Sequence, residues 1–291
     1  MIYPGTTYNN RLQPILREIV WQKRQEVAQM QQEMSFASLQ RQLTAAPTVR
    51  DFFTALQQSL HKPGLITEVK RSLPHQDIIS LDFDPLSIAK SYERGGATCI
   101  SVVTDQKFFQ GGFDHLRTIR HRIALPLLCK DFILDPCQIY LARSAGADAV
   151  LLIAAILTDQ EINNFLRVIH YLGMNAILEV HNLAELDRVL KLDDVRIISI
   201  NNRSLEDFGV NLSTTQQLMA ARRSHLHNLG ILVISESGIE TSDHLALMAD
   251  AGINAVLMGD SLLQQENLEE AVRSLLKSNV PVYKDLVKKA V

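Results

Sequence analysis

Glu68 and Lys70 stand two residues apart in the run Leu65–Lys70. On an extended strand that spacing turns both side chains to one side. Other short apolar runs also close on polar residues. Lys130 ends Leu127-Leu128-Cys129-Lys130, Glu179 ends Ala176-Ile177-Leu178-Glu179, and Asn201 ends the run from Val195, with Arg203 two residues beyond. Ser235, Glu236 and Ser237 follow the run Ile231–Ile234. Packing alone would place Val, Ile or Leu at such positions, because burying a charge without a partner or a use is costly. Carboxylates and ammonium groups in a low-dielectric cleft acquire shifted pKa values and can move protons. An ion-pair network that only plugs the end of a sheet is the competing account for any one of these residues. The whole set, aimed at one mouth, points to acid–base catalysis.

A second chemistry is anion binding. Glu236-Ser237-Gly238-Ile239 and Met258-Gly259-Asp260-Ser261 each follow an apolar run. Small residues there let backbone N–H groups approach a phosphate, and a following helix N-terminus adds its dipole. Asp260 complicates this reading, since its carboxylate repels phosphate unless the side chain turns away. Metal chemistry has no comparable support: His225 and His227 are two apart on a predicted helix and share no face, and no HExxH is present. No GxSxG elbow supports a nucleophilic triad.

The elements that would position these groups repeat. A small or glycine-containing helix end precedes a short apolar run at Gly95-Gly96-Ala97, Ala145-Gly146-Ala147, Leu172-Gly173, Leu229-Gly230 and Ala251-Gly252. A left-handed glycine ends a helix cheaply, and a continuous apolar run suits a parallel strand covered on both faces. Adding Leu65–Lys70, Leu125–Lys130 and Val195–Asn201 predicts strands starting near 65, 97, 125, 149, 176, 196, 231 and 255. The spacings leave room for the helical crossovers that parallel strands need. That pattern predicts a (β/α)8 barrel, whose chemistry sits at the C-terminal strand ends and whose phosphate corner is formed by loops seven and eight. A doubly wound sheet is the alternative, but no GxGxxG follows Leu65–Lys70.

Residues 1–64 precede the barrel of 65–291 as a predicted helical extension packed on it, not a separate domain. Leu12, Ile15, Leu16, Ile19, Val27 and Met30 fit an amphipathic helix with Lys23, Arg24 and Glu26 outward. Phe52, Phe53, Leu56 and Leu60 suggest a second helix after Pro47. Whether the extension only stabilises the barrel or also meets substrate stays open at this level.

Composition narrows the rest. A formal charge of -3 and no clustered Lys/Arg argue against a nucleic-acid partner. The longest apolar run, Ala149–Leu157, is too short to span a bilayer, so no membrane partner is expected. Met1–Gly5 opens no secretory signal pattern. Cys99, Cys129 and Cys137 form no CxxC and read as buried thiols of a reducing compartment. A soluble, cytoplasmic protein is expected, as a monomer or weak homo-oligomer.

From about Ile15 to the last helix the chain resembles the indole-3-glycerol phosphate synthase family. The resemblance rests on Glu68-Val69-Lys70, Asp82-Phe83-Asp84-Pro85, Ser101–Asp105, Phe108-Phe109-Gln110-Gly111, Leu128–Phe132, Asp148–Leu157, Leu178-Glu179-Val180-His181, Ile200-Asn201-Asn202-Arg203 and Ser235–Ile239, in this order. It implies closure of the indole ring of 1-(2-carboxyphenylamino)-1-deoxyribulose 5-phosphate in tryptophan synthesis, with loss of carbon dioxide and water and with no metal or organic cofactor. It also implies roles. Lys130 is the general acid for ring closure. Lys70 holds the substrate carboxylate and donates a proton in dehydration. Glu179 is the general base, Glu68 orders Lys70 and substrate, and Asn201 orients a hydroxyl. Phe109, Phe132 and Leu151 form the slot for the aromatic ring. Ser237, Gly238, Gly259 and Asp260 occupy the phosphate loops, and Arg203 borders the substrate.

The chain departs from the family pattern after Lys70, where Arg71-Ser72-Leu73-Pro74-His75-Gln76-Asp77 replaces a basic, small, Ser-Pro-Ser stretch with a following Lys-Gly. Leu73 removes a hydroxyl partner of the carboxylate, and Asp77 stands where Gly is usual. Asp260 is a milder change from Ser, Thr or Glu. These departures predict retained activity with weaker substrate affinity. They are also the one support for an alternative, a ligand-binding paralogue with weakened catalysis. A Schiff-base aldolase on Lys130 is a third reading, against which the aromatic slot argues.

Overall fold

Continuous apolar runs suit parallel strands that are covered on both faces. The computed structural model, which describes residues 14–72 and 83–277, has eight parallel strands closed in sequence order. They are β1 (Gly64–Val69), β2 (Cys99–Val103), β3 (Leu127–Lys130), β4 (Ala149–Ile153), β5 (Asn175–Val180), β6 (Ile197–Asn201), β7 (Leu232–Glu236) and β8 (Ala255–Met258). β1 pairs with both β2 and β8, which leaves no edge. Helices α4 (Pro85–Gly95), α5 (Phe113–Arg120), α6 (Pro136–Ser144), α7 (Asp159–Tyr171), α8 (Leu183–Val189), α9 (Ser213–Asn228) and α10 (Ser242–Ala251) alternate with them. Two more, α11 (Asp260–Leu263) and α12 (Leu268–Lys277), follow β8. The fold is a (β/α)8 barrel, as the strand–helix period predicts. Helix starts are capped by their own sequence: Asp135 with Gln138, and Thr158 with Glu161, form capping boxes.

Strand parity places the chemistry. Ile66, Leu128, Ile177, Ile197, Leu232 and Ala255 belong to one inner cluster, while Leu65, Cys129, Leu178, Ile198 and Val233 belong to the shell between sheet and helices. Two residues on, the inner face carries Glu68, Lys130 and Glu179. Two further steps on the other strands bring Asn201, Glu236 and Gly259 to the same rim. The lower end is closed by α3 (Phe52–Gln57), whose Phe52, Phe53 and Leu56 join the inner cluster. Each such buried side chain contributes about 2 kcal/mol. Asp148 fastens this end by accepting from the Leu127 and Arg50 backbone N–H groups at 2.8 and 2.7 Å and from Arg120 at 2.6 Å.

The N-terminal helices are α1 (Pro14–Glu33), α2 (Phe36–Thr44) and α3. Both α1 and α2 pack against α6. α2 is not foreseen in the sequence reading, and Leu60, assigned there to the second helix, lies beyond α3 and is exposed. Lys23 is a correction. The amphipathic pattern points it outward, yet it is 2 % exposed among the carboxylates of Glu26, Asp105 and Asp131. The reason is its spacing: Ile19, Lys23 and Val27 recur every four residues and share the buried stripe. Of the cysteines, Cys99 and Cys129 are buried, but Cys137 is only partly so. No helix among the described residues is long and apolar enough to cross a membrane.

Candidate active site

A cavity of about 680 Å³ opens at the C-terminal mouth of the barrel. Every residue given a role in the sequence reading lines it: Glu68, Lys70, Lys130, Glu179 and Asn201 at strand ends, Phe109, Phe132 and Leu151 on one wall, and Arg203, Ser237, Gly238, Gly259 and Asp260 on the loops. Ile15, Leu16 and Ile19 of α1 line it too, so the extension reaches the cavity directly.

Glu68 lies between the two lysines. Its Oε2 is 2.6 Å from Lys70 Nζ and its Oε1 is 3.3 Å from Lys130 Nζ. Burial works against its charge, but the ammonium groups of Lys130 and Lys70 hold its pKa down at about 2. Lys130 Nζ also donates to Glu236 Oε2 at 2.8 Å. Burial disfavours the Lys130 charge, yet Glu236, Glu68 and Glu179 together hold its pKa above the ordinary lysine value. A Schiff-base nucleophile needs an uncharged amine, so this setting favours an acid and disfavours the aldolase reading.

Glu179 sits 3.0 Å from His181 Nε2, and His181 Nδ1 sits 3.2 Å from Glu185. Burial disfavours an imidazolium there, but these two acceptors push the His181 pKa up to about 10. Glu179 and Glu236 are neighbouring buried carboxyl groups, and each shifts the titration of the other. Burial raises the pKa of Glu236; Lys130 pulls it back and the Glu179 charge pushes it further, leaving it above the usual carboxylate range. Burial opposes the charge on Glu179 as well, but the His181 hydrogen bond and charge hold it below that range. Of the two, Glu179 titrates lower and lines the cavity, while Glu236 titrates higher beside Lys130.

On the other wall the Phe109 and Phe132 rings lie 6.3 Å apart, tilted by 34° to each other, and present apolar surface to the cavity. Opposite, Ser237 and Gly238 both take left-handed backbone, with φ of 69° and 77°. A Cβ on Gly238 would collide with Val210 Cγ1, and one on Gly259 would lie 2.8 Å from Glu68 Oε2 and 3.3 Å from Lys70 Nζ. Both glycines are demanded by close approach. Ser237 Oγ donates to Asn201 Oδ1 at 2.8 Å, and the Arg203 backbone N–H donates to the same oxygen at 2.9 Å. Asn201 thus keeps its NH2 group for the cavity. Asn202, its neighbour, is consumed by Ser235, Glu236, Ser237 and Thr215 and is structural. Asp260 resolves its own complication: its carboxylate pairs with Lys70, and its Oδ2 lies 3.6 Å from Arg203 Nη2.

Two residues of the site carry no role in the sequence reading. The sequence pattern puts Glu236 after the seventh strand, but it ends that strand, fully buried against Lys130. The signal was present, since it closes an apolar run as Glu179 does. His181 follows Glu179 by two residues and so keeps its side, the same parity argument that marks Glu68 and Lys70. The departures at Leu73, His75 and Asp77, and Asp82 of the resemblance, lie outside the described residues.

The fold and this rim define the class, a (β/α)8-barrel enzyme. A profile of indole-3-glycerol phosphate synthase matches residues 16–275. An indole-3-glycerol phosphate synthase of Rippkaea orientalis is 51% identical over 261 residues, covering 90% of this chain and 89% of that one. Its counterpart in Crocosphaera subtropica is 49% identical over 267 residues, with 92% and 91% covered. A solved thiamine phosphate pyrophosphorylase from Pyrococcus furiosus superposes with a TM-score of 0.55 at 16% identity, over 75% of this chain and 96% of that one, a likeness of fold alone. The chain belongs to the indole-3-glycerol phosphate synthase family.

Proposed function

We propose that the chain converts 1-(2-carboxyphenylamino)-1-deoxyribulose 5-phosphate to indole-3-glycerol phosphate, as a carboxy-lyase of tryptophan biosynthesis. Identity near one half with synthases along nine-tenths of the chain supports this reading. The observation that carries it is a charged Lys130, held by Glu236 and Glu68, in one cavity with the base Glu179 and the paired rings of Phe109 and Phe132.

The substrate's aromatic ring enters the Phe109–Phe132–Leu151 slot, its phosphate meets the Ser237–Gly238 and Gly259 loops, and its carboxylate meets Lys70. Seating it requires Lys70 to exchange Asp260 for the substrate anion, while Arg203 retains Asp260. Lys130 protonates the ketone oxygen as the carboxyl-bearing ring carbon bonds to the carbonyl carbon. The carboxylate leaves as carbon dioxide and its electron pair restores the aromatic ring. Glu179 then takes a proton from the carbon next to the ring nitrogen, and the new hydroxyl departs as water with a proton from Lys70. Asn201 orients a chain hydroxyl through its free NH2. Glu68 keeps both lysines in place for their separate steps. Positioned proton transfer of this kind is worth about 10²–10⁴-fold, and holding the two carbons in bonding geometry adds several kcal/mol. The N-terminal helices and barrel act as one catalytic unit.

The test is a fluorescence assay for the indole product with the purified chain and this substrate. Indole formation at saturating substrate is the expected result. Binding without turnover would replace this reading with the weakened paralogue, and absence of both would overturn it.

A further inference from the structure

The buried ammonium of Lys23 takes no part in the chemistry above, yet it reaches the rim from the N-terminal helix. Its Nζ is 2.8 Å from Asp105 Oδ2, 2.9 Å from Asp131 Oδ1 and 2.8 Å from Glu26 Oε2. Asp105 follows β2, and Asp131 directly follows Lys130 at the end of β3. Each carboxylate spends its other bonds on the backbone that carries the slot. Asp105 Oδ1 accepts the N–H groups of Phe108 at 2.8 Å and Phe109 at 3.2 Å. Asp131 Oδ1 accepts the N–H of Phe132 at 2.8 Å, and its Oδ2 accepts Thr104 Oγ1 at 2.7 Å. Phe109 and Phe132, two of the three phenylalanines so held, are the pair whose rings lie 6.3 Å apart on the wall of the slot.

We propose that Lys23 is a positioning residue for the aromatic slot: by bridging Asp105 and Asp131 it sets the separation of Phe109 and Phe132. This rests on the synthase reading. The physical reason is that two carboxylates, 1% and 5% exposed, repel each other at close range unless a cation lies between them. Without Lys23 the loops after β2 and β3 relax apart, and the rings they carry separate. Because the cation comes from α1, the N-terminal extension tunes how the ring is gripped.

Lys23→Met keeps the length and apolar stem and removes the charge. The expected result is a rise of about tenfold or more in KM, and a matching rise in the inhibition constant of indole-3-glycerol phosphate, with the inhibition constant of inorganic phosphate unchanged within about twofold. A purely structural role would lower the melting temperature and leave both inhibition constants alone, or weaken both equally; either result overturns the proposal. The double variant Lys23→Met/Asp105→Asn supplies the second arm. An amide in place of Asp105 still accepts from Phe108 and Phe109 while its NH2 donates to Asp131. It should therefore bring the inhibition constant of the indole ligand back to within about threefold of wild type. If the single variant does not fold, the double variant decides alone: failure to fold, or equal weakening toward both ligands, overturns the proposal. Wild-type protein that neither turns over nor binds the indole ligand would overturn the synthase reading, and this inference with it. A wild type that does both, beside variants no different from it, would overturn this inference only.

Discussion

Glu68→Gln tests the rim most directly, because one carboxylate orders both lysines. The substitution keeps the shape and removes the charge between Lys70 at 2.6 Å and Lys130 at 3.3 Å. A hydrogen bond to a charged group is worth about 1.5–3 kcal/mol, and the longer Lys130 contact adds less. Lys70 keeps Asp260 and Lys130 keeps Glu236, so the ammonium groups stay paired but lose their common anchor. Loss of about 1.5–3 kcal/mol of ordering in the transition state lowers kcat by about 10–100-fold. The basic limb of the kcat profile should also move to lower pH, because one of the carboxylates that raises the Lys130 pKa is gone. Stability gives an independent readout. The Glu68 pKa in the folded chain is about 2, below the ordinary 4.5. A lowered pKa stabilises the fold fully above the unfolded value and loses that stabilisation as pH falls from 4.5 toward 2. For this buried group the amount is on the order of 3 kcal/mol. Denaturant titrations between pH 2 and 7 should therefore show a shallower acid loss in Glu68→Gln than in wild type. A variant with kcat within about twofold of wild type and an unaltered acid limb would refute the bridging role.

Lys130→Ala should cut kcat by about 10²–10⁴-fold with an unchanged circular dichroism spectrum; near-wild-type turnover would dismiss Lys130 as the acid. Glu179→Gln should spare substrate affinity and lose turnover, measured by equilibrium binding beside the indole assay, and a loss of binding alone would make Glu179 structural. Gly259→Ala should reduce kcat and raise KM together, because the added Cβ meets Glu68 Oε2 at 2.8 Å. Wild-type kinetics for that variant would show that the Glu68–Lys70 pair can shift without cost.

The strand–helix period, the two-residue step from Glu68 to Lys70, and the polar ends of the apolar runs are local properties of the chain, so the sequence determined the barrel and most of its rim. Strand alternation carries a side chain's direction from one residue to the next but one, which is why Lys130, Glu179 and Asn201 could be read before any coordinates. Partners far apart along the chain are a different matter. Lys130 meets Glu236 across the barrel, Lys70 meets Asp260 at the start of α11, and Lys23 reaches from α1 to Asp105 and Asp131. A lysine on an amphipathic helix reads as solvated until carboxylates from other elements arrive to neutralise it. Likewise nothing local says which of two buried glutamates titrates higher, because that depends on the charges around each. Tertiary closure decided those pairings, since charge attraction acts through space and the sequence pattern runs only along the chain.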